Sequence, residues 1–250
     1  MKSDIKILAQ THIHTVYSAH AYSTVGEIVS YAKQNGLELV AITDHGPNMP
    51  DSGHEWHFAN MRAIPHKIDD IYVLRGAEAN IIDSNGTLDI CDAFLKRLDL
   101  VIASIHTTST IEPCEDIKKN TQTYLSVMDN PYVDIIGHSG WTDFRYDICE
   151  VLSCAKEKGV LIEINAHTVT TRPKNVELCR EIAKNCARIG VGITVGADAH
   201  SAYEITEVSG ATEMLYEIGF PEELIMNTSA EKLINHIAKR RGKTIDEYIK

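Results

Sequence analysis

What this sequence lacks narrows it first. No stretch of about 18 consecutive apolar residues occurs, so no transmembrane helix is expected. The start, Met1-Lys2-Ser3-Asp4-Ile5, has neither a long apolar segment nor a small-residue cleavage site, and no signal peptide is expected. The six cysteines (Cys91, Cys114, Cys149, Cys154, Cys179, Cys186) form no C-x-x-C pair and no dense framework. Spread over 250 residues, they suit reduced, mostly buried thiols in the cytoplasm. Positive charge is scarce: 24 Lys and Arg against 35 Asp and Glu give a net charge of −11, which argues against a surface that coats nucleic acid. There is no G-x-S-x-G elbow for a serine nucleophile. No P-loop or G-x-G-x-x-G follows the first apolar run, so a nucleotide cofactor is not expected. No linker rich in Pro, Gly or Ser interrupts the chain, which reads as one domain over 1–250.

What is there is an alternation of short apolar runs with helical patterns. Strands are expected at Ile5–Ala9, Leu39–Thr43, Ile71–Leu74 with Ala77–Ile81, Leu98–Ile105, Val133–Ile136, Val160–Ile164 and Gly192–Val195. Helices are expected over Thr24–Gln34, Asp116–Met128, Ile148–Lys158, Val176–Ile189, Ala211–Ile218 and Ala230–Arg240, with Gly159 and Gly190 as stops. Such alternation means β-α units and a parallel sheet. Seven or eight units in 250 residues fit an α/β barrel, a distorted (β/α)7 TIM-like form, better than an open sheet. Residues 44–70 make a connection long enough to be a functional lobe, with room for a short helix.

On that frame the ligand-type residues fall in one place. His12 and His14 follow the first run, two apart and so on one face of a strand, with His20 in the next loop. His45 follows the second run, Glu78 lies in the third, His106 ends the fourth and His138 follows the fifth. Glu163 and Asn165 belong to the sixth, and Asp198 and His200 close the seventh. The C-terminal ends of parallel strands are where active sites assemble. One H-x-H pair means little, since 12 His in 250 residues give about 0.6 by chance. The recurrence carries the signal.

Histidine and carboxylate ligands without cysteine suit Zn, Mn, Fe or Co. Nine candidates, His12, His14, His20, His45, Glu78, His106, His138, Asp198 and His200, exceed one tetrahedral ion and would satisfy two or three. Glu78 is the natural bridge, because a carboxylate has two oxygens. Three divalent ions would leave a positive centre that invites an anion, phosphate above all. Asp44 precedes His45 and is expected to support an imidazole from behind. Arg172 and Lys174 lie on the same edge and are phosphate-clamp candidates, a solvated loop being the other reading. One of His54 and His57 is a candidate to line the substrate site, and His167 is left open. His66 and His236 read as exposed, and Arg75 as the partner of a carboxylate.

His12-x-His14-Thr15-x-x-Ser18, Thr43-Asp44-His45, Glu78, His106, His138 and Asp198-x-His200 resemble the motif regions of the PHP (polymerase and histidinol phosphatase) superfamily. Ser18–Thr24, Ala41–Pro47 and Trp56–Arg62 are similar to stretches of its stand-alone YcdX-type phosphatases. The resemblance implies a trinuclear metal site, usually described with zinc, and phosphatase activity in a homo-oligomer, a trimer. By motif, His12, His14, Glu78 and Asp198 would hold one ion, and His20, His45 and His200 the second. Glu78, His106 and His138 would hold the third. Two positions depart from the pattern: Gln10 stands where an Asp is common, and Ser139 where a Pro often follows the histidine.

The expected function is hydrolysis of small phosphomonoesters by a metal-bound water, with no side-chain nucleophile. Three divalent ions are expected, zinc foremost and manganese or iron as alternatives. The rivals are a phosphodiesterase or exonuclease using the same metals, and a non-catalytic module whose metals are structural. Loops 46–66 and 107–115 are where substrate selection is expected.

Overall fold

The computed structural model describes residues 3–50, 52–107 and 113–249. Strands β1 (Ala9–Gln10), β2 (Leu39–Ile42), β4 (Ile71–Asn80), β5 (Leu100–Ser104), β6 (Ile135–Ile136), β7 (Leu161–Asn165) and β8 (Ile193–Gly196) lie side by side in that order, every pair parallel. β3 (Lys67–Ile68) is a short antiparallel addition to β4. This is the distorted seven-stranded barrel that the alternation of elements anticipates, in a single domain.

The helices start and stop where local chemistry says they should. Helix α1 (Val25–Gln34) opens on a capping box, Thr24 receiving the Glu27 amide while the Glu27 carboxylate accepts from the Thr24 amide. Helix α4 (Ile117–Val127) is capped by Asp116, which accepts from the amides of Lys118 and Lys119. Helices α5 (Ile148–Lys158) and α7 (Val176–Ile189) end at Gly159 and Gly190, both left-handed. Within the 44–70 connection, Trp56–Asn60 forms the short helix α2, while α3 (Asp92–Leu95) precedes β5 and α8 (Ser209–Glu217) follows β8. Helix α6 (Ala166–Thr171) has no apolar periodicity to announce it. Asn165, the last residue of β7, caps it by accepting from the Thr168 amide at 2.7 Å.

Three expectations are corrected. The first strand is Ala9–Gln10 rather than Ile5–Ala9, because its pairing with β2 extends over only two residues. The two halves of the third strand are one ten-residue strand, whose lower half pairs with β2 and upper half with β5. The cysteines are all free, but only Cys179 and Cys186 are buried.

The seam between β8 and β1 decides how the barrel closes. No ladder joins them. Side chains stand in for it: the Asn227 amide donates to Ala9 O and Val195 O and accepts from Val195 N, each at 2.9–3.0 Å. Gln10, fully buried, accepts from the Ala197 amide at 3.0 Å and donates to Ile205 O at 2.9 Å. Higher up, one parallel bridge pairs Ile13 with Ala199. Its bonds, His14 N to Ala199 O and Ala199 N to His12 O, set His12-x-His14 beside Asp198-x-His200.

Helix α9 (Ala230–Arg241) closes the opposite end. Leu233, Ile234 and Ile237 pack with Ala9, Leu39, Leu74, Leu100, Ile135 and Leu161, one residue from each of six strands. Beside this floor the Asp134 carboxylate accepts from Arg240, from Arg241 at 2.9 and 2.5 Å, and from the Val101 amide at 2.8 Å. Among the described residues no helix is long and apolar enough to cross a membrane.

Candidate metal centre and substrate cleft

Glu78 sits near the upper end of β4 with its side chain fully buried. Five imidazoles converge on it. His138 Nε2 lies 2.9 Å from Oε1, His12 Nε2 3.3 Å and His106 Nε2 3.4 Å; His45 Nδ1 lies 2.7 Å from Oε2 and His14 Nε2 3.7 Å. Asp198 Oδ1 faces the same centre, 3.2 Å from His14 Nε2 and 3.5 Å from His12 Nε2. His200 and His20 complete the set, their Nε2 atoms 2.8 Å apart, with the His200 ring 4.5 Å from that of His14. All nine residues expected at the strand ends are therefore brought together.

The spacing of these atoms says what the cluster fits. Two ligand atoms on one tetrahedral ion, each about 2.1 Å from it, lie about 3.4 Å apart. The separations among His12, His14, Asp198, Glu78 and His106 run from 3.2 to 3.7 Å, longer than most hydrogen bonds. Buried His12 Nε2, His14 Nδ1, His45 Nδ1 and Glu78 Oε2 have no hydrogen-bond partner among the described residues. Orphaned buried polar atoms are costly unless something satisfies them. Three groups have atoms close enough for one cation each: His12, His14 and Asp198; His14, His45 and His200; and His45, Glu78 and His106. The donor set and its geometry fit divalent ions.

The residues behind this layer fix its tautomers. His12 Nδ1 donates to Glu163 Oε1 at 2.7 Å, leaving Nε2 to point inward. His106 Nδ1 donates to Asn80 Oδ1 at 2.7 Å and His200 Nδ1 to Asp198 O at 3.0 Å, with the same result. Glu163 also accepts from the His138 amide, and Asn165 bridges Glu163 to Asp198. Gly196 is required here, since a Cβ on it would lie 1.9 Å from Glu163 Oε1. His138 and Asp198 have left-handed backbones, φ 23° and 56°, unusual for residues with a Cβ. Strain thus collects at two of the nine positions.

Charge follows the same geometry. Burial opposes protonation of His12, but Glu163, Glu78 and Asp198 outweigh it and carry its pKa well above the usual value. Burial and then the neighbouring His45 push His14 down to about 3. Burial would raise the carboxyls of Glu78 and Asp198, yet the surrounding histidines hold both well below the ordinary range.

Asp44 takes a different part from the one expected. Fully buried, it accepts from Thr15 N at 2.7 Å, Thr15 Oγ1 at 2.8 Å and Ser18 Oγ at 2.9 Å, and so pins the turn that leads to His20. The imidazole it meets is that of His57, 3.1 Å away and stacked on Tyr17. His54 is exposed and its Nδ1 accepts from Trp56 N. His66 and His236 are half-buried rather than exposed, His66 on Asp99 and His236 donating to Gly159 O. Arg75 pairs with Asp99 at 2.8 Å, as its sequence position suggested.

A cleft of about 480 Å³ opens over the centre, lined by His20, His45, His106, His138 and His200 on its floor. Trp141, His167, Arg172, Lys174 and Asp143 stand around it, with Met49 and Thr107 from the loops expected to select substrate. Residues 108–112 of the second loop lie outside the described residues. Neither His54 nor His57 lines this cleft; His57 faces a wider, mostly apolar groove along Trp56, Met61, Ile64 and Phe94. Lys174 is held by Asp143 at 3.1 Å.

Sequence reasoning gave no role to Glu163, Asn80, Gln10 or Trp141. Asn80 was within reach, being two residues beyond Glu78 on the same strand face. Glu163 offered its strand-end position. Gln10 and Trp141 offered no local signal. Of the two departures, Gln10 seals the barrel seam and Ser139 hydrogen-bonds Tyr146 at 3.0 Å.

The profile of the PHP domain family matches residues 10–167. A probable phosphatase of Caldanaerobacter subterraneus subsp. tengcongensis is 42% identical over 238 residues, covering 95% of this chain and 93% of that protein. A probable phosphatase of Clostridium novyi is 43% identical over 246 residues, covering 97% and 98%. The crystal structure of histidinol phosphate phosphatase from Lactococcus lactis subsp. lactis, complexed with zinc, L-histidinol and phosphate, superposes with a TM-score of 0.59 at 20% identity. The match covers 85% of this chain and 94% of that one, a likeness of fold.

Proposed function

The chain belongs to the PHP domain family, and from that premise we propose that it is a metal-dependent phosphatase acting on small phosphomonoesters. The observation that carries the reading is the convergence of eight ligand-type side chains, from the ends of five other strands and the loop after β1, around buried Glu78 on β4. His12, His14, Glu78 and Asp198 would hold one ion, His20, His45 and His200 a second, and Glu78, His106 and His138 a third. Zinc is the first candidate, by its donor chemistry and by the zinc complex of the fold relative. Divalent ions supply Lewis-acid charge for phosphoryl oxygens and lower the pKa of water toward neutrality.

The chain's own residues do the rest. Glu163, Asn80 and the Asp198 carbonyl hold His12, His106 and His200 with Nε2 inward, so these nitrogens are aimed at the centre before any ion arrives. Asp44 holds the 15–18 turn in place, and the Ser18 hydroxyl accepts from the His45 amide at 3.2 Å, coupling both loops that flank the centre. The cleft admits a small ester and confines it against this floor. No serine elbow or activated cysteine lines the cleft among the described residues, which favours water as nucleophile. Its size and the net charge of −11 favour a small substrate over a nucleic-acid strand. The reading extends to a cytoplasmic homo-oligomer, a trimer, which light scattering checks.

The test is hydrolysis of an aryl phosphate before chelation, after it, and after add-back of each metal, with Glu78→Ala and His12→Ala alongside. Activity is expected only in metal-loaded wild type. Full activity in stripped or substituted protein would sink the reading.

A further inference from the structure

We propose that Arg172 and Trp141 form a second anion subsite, so that the favoured substrate is a phosphomonoester carrying another negatively charged group. The inference rests on the phosphatase reading above and names the substrate class. Among the described residues, the carboxylates lining the cleft are Asp198, in the centre itself, and Asp143. Asp143 faces Lys174, whose Nζ lies 3.1 and 3.2 Å from its two oxygens, so that pair is neutral. Arg172 lines the cleft and makes no ion pair among the described residues.

The guanidinium is also held in place. Its central carbon lies 4.2 Å above the Trp141 ring, and that ring is itself stacked on His138, centroids 5.0 Å apart at 17°. A stacked guanidinium uses its face and leaves its in-plane N–H donors free, the arrangement that receives a carboxylate or phosphate edge-on. The loops that bear the two residues are tied together: Asn175 donates its amide to Arg172 O at 2.9 Å, while its side-chain oxygen accepts from Thr142 N and Thr142 Oγ1. Trp141 adds a donor, since its buried Nε1–H has no acceptor among the described residues. The Arg172 guanidinium meets the edge of the nine-residue centre through the Trp141–His138 stack. It therefore serves a group set apart from the phosphoryl position, and a substrate with an ammonium group there meets an unneutralised cation.

Four hydrolysis-resistant phosphonates test this by calorimetry on zinc-loaded protein: methylphosphonate, 3-phosphonopropionate, ethane-1,2-diphosphonate and 2-aminoethylphosphonate. The two anionic tails are expected to bind about tenfold or more tighter than methyl, and the ammonium tail more weakly than methyl. Whichever anionic tail binds tighter identifies the second group as carboxylate or phosphoryl. In Arg172→Gln the ratio of anionic-tail to methyl affinity is expected to fall to within about twofold of one, with Arg172→Lys in between. Equal affinities in wild type overturn the proposal. So does an Arg172→Gln variant that weakens all four alike, which would put Arg172 on the phosphoryl group. Turnover of the matching phosphate esters separates the two readings. A preserved affinity order without turnover overturns the phosphatase and leaves the subsite, turnover with a flat order does the reverse, and no binding of any phosphonate overturns both.

Discussion

The two ends of the barrel bury carboxylates in opposite ways. At the lower end Asp134 is fully enclosed yet answered by Arg240, Arg241 and the Val101 amide, and nearby Asp99 is answered by Arg75 and His66. At the upper end Glu78 is just as enclosed but surrounded by five imidazoles, three of them at 3.3–3.7 Å, and its Oε2 has no hydrogen-bond partner among the described residues. Buried charge stabilises nothing unless its partners are complete. The lower end is complete without help and holds the fold together. The upper end is left incomplete, the arrangement that suits a site for cations.

The largest break in this contrast is expected from Glu78→Ala. It should lower phosphatase activity by about a thousandfold or more and remove bound metal, read by elemental analysis, because the one carboxylate that touches five histidines is gone. Added zinc should raise the melting temperature of metal-free wild type by mass action and leave that of the variant unmoved.

At the other end, Asp134→Asn should cost about 3–5 kcal/mol in denaturant unfolding, since it leaves two arginines buried without a counter-charge. Activity per folded molecule should hardly change, as Asp134 lies at the floor and not in the cleft. A variant that lost activity but kept its stability would collapse the distinction between the two ends.

A smaller effect sharpens the comparison. Glu163→Gln keeps the shape behind His12 and weakens its hold on the imidazole, so zinc affinity should fall about 10–100-fold in a competition titration while the fold persists.

The smallest is a pH effect at the lower end. Burial alone would raise the Asp99 carboxyl, but hydrogen bonds from His66 and Arg75 and the Arg75 charge hold it below its ordinary 3.8. Its contribution to stability is therefore whole above that value and is lost as pH falls through the lower folded value. Asp99→Asn should flatten the acid side of a stability-against-pH curve, and an unchanged slope would show that the pair does not govern it.

Much of the upper edge was legible from the chain because strands repeat every two residues and parallel β/α units send their C-terminal ends to one side. His12, His14, His45, Glu78, His106, His138, Asp198 and His200 could be placed by that rule alone, and His20 by its nearness to them. The lower floor was not legible in the same way. Arg240 and Arg241 were given no role beyond the end of an expected helix, and packing of α9 under the strands turns them toward Asp134. Gln10 and Asn227 were silent for a related reason: they replace a missing strand ladder, and no periodicity marks a bond that is absent.

By itself, then, the sequence determined the succession of β-α units, the caps that bound the helices and the gathering of histidines and carboxylates on one edge, all of which depend on neighbours close along the chain. Tertiary structure alone decided how β1 and β8 are sealed, that Asp44 holds a turn and not a ligand's imidazole, and that Arg172 lies on Trp141. Those outcomes depend on groups far apart in the chain meeting at distances set by the closed barrel, and no local pattern encodes them.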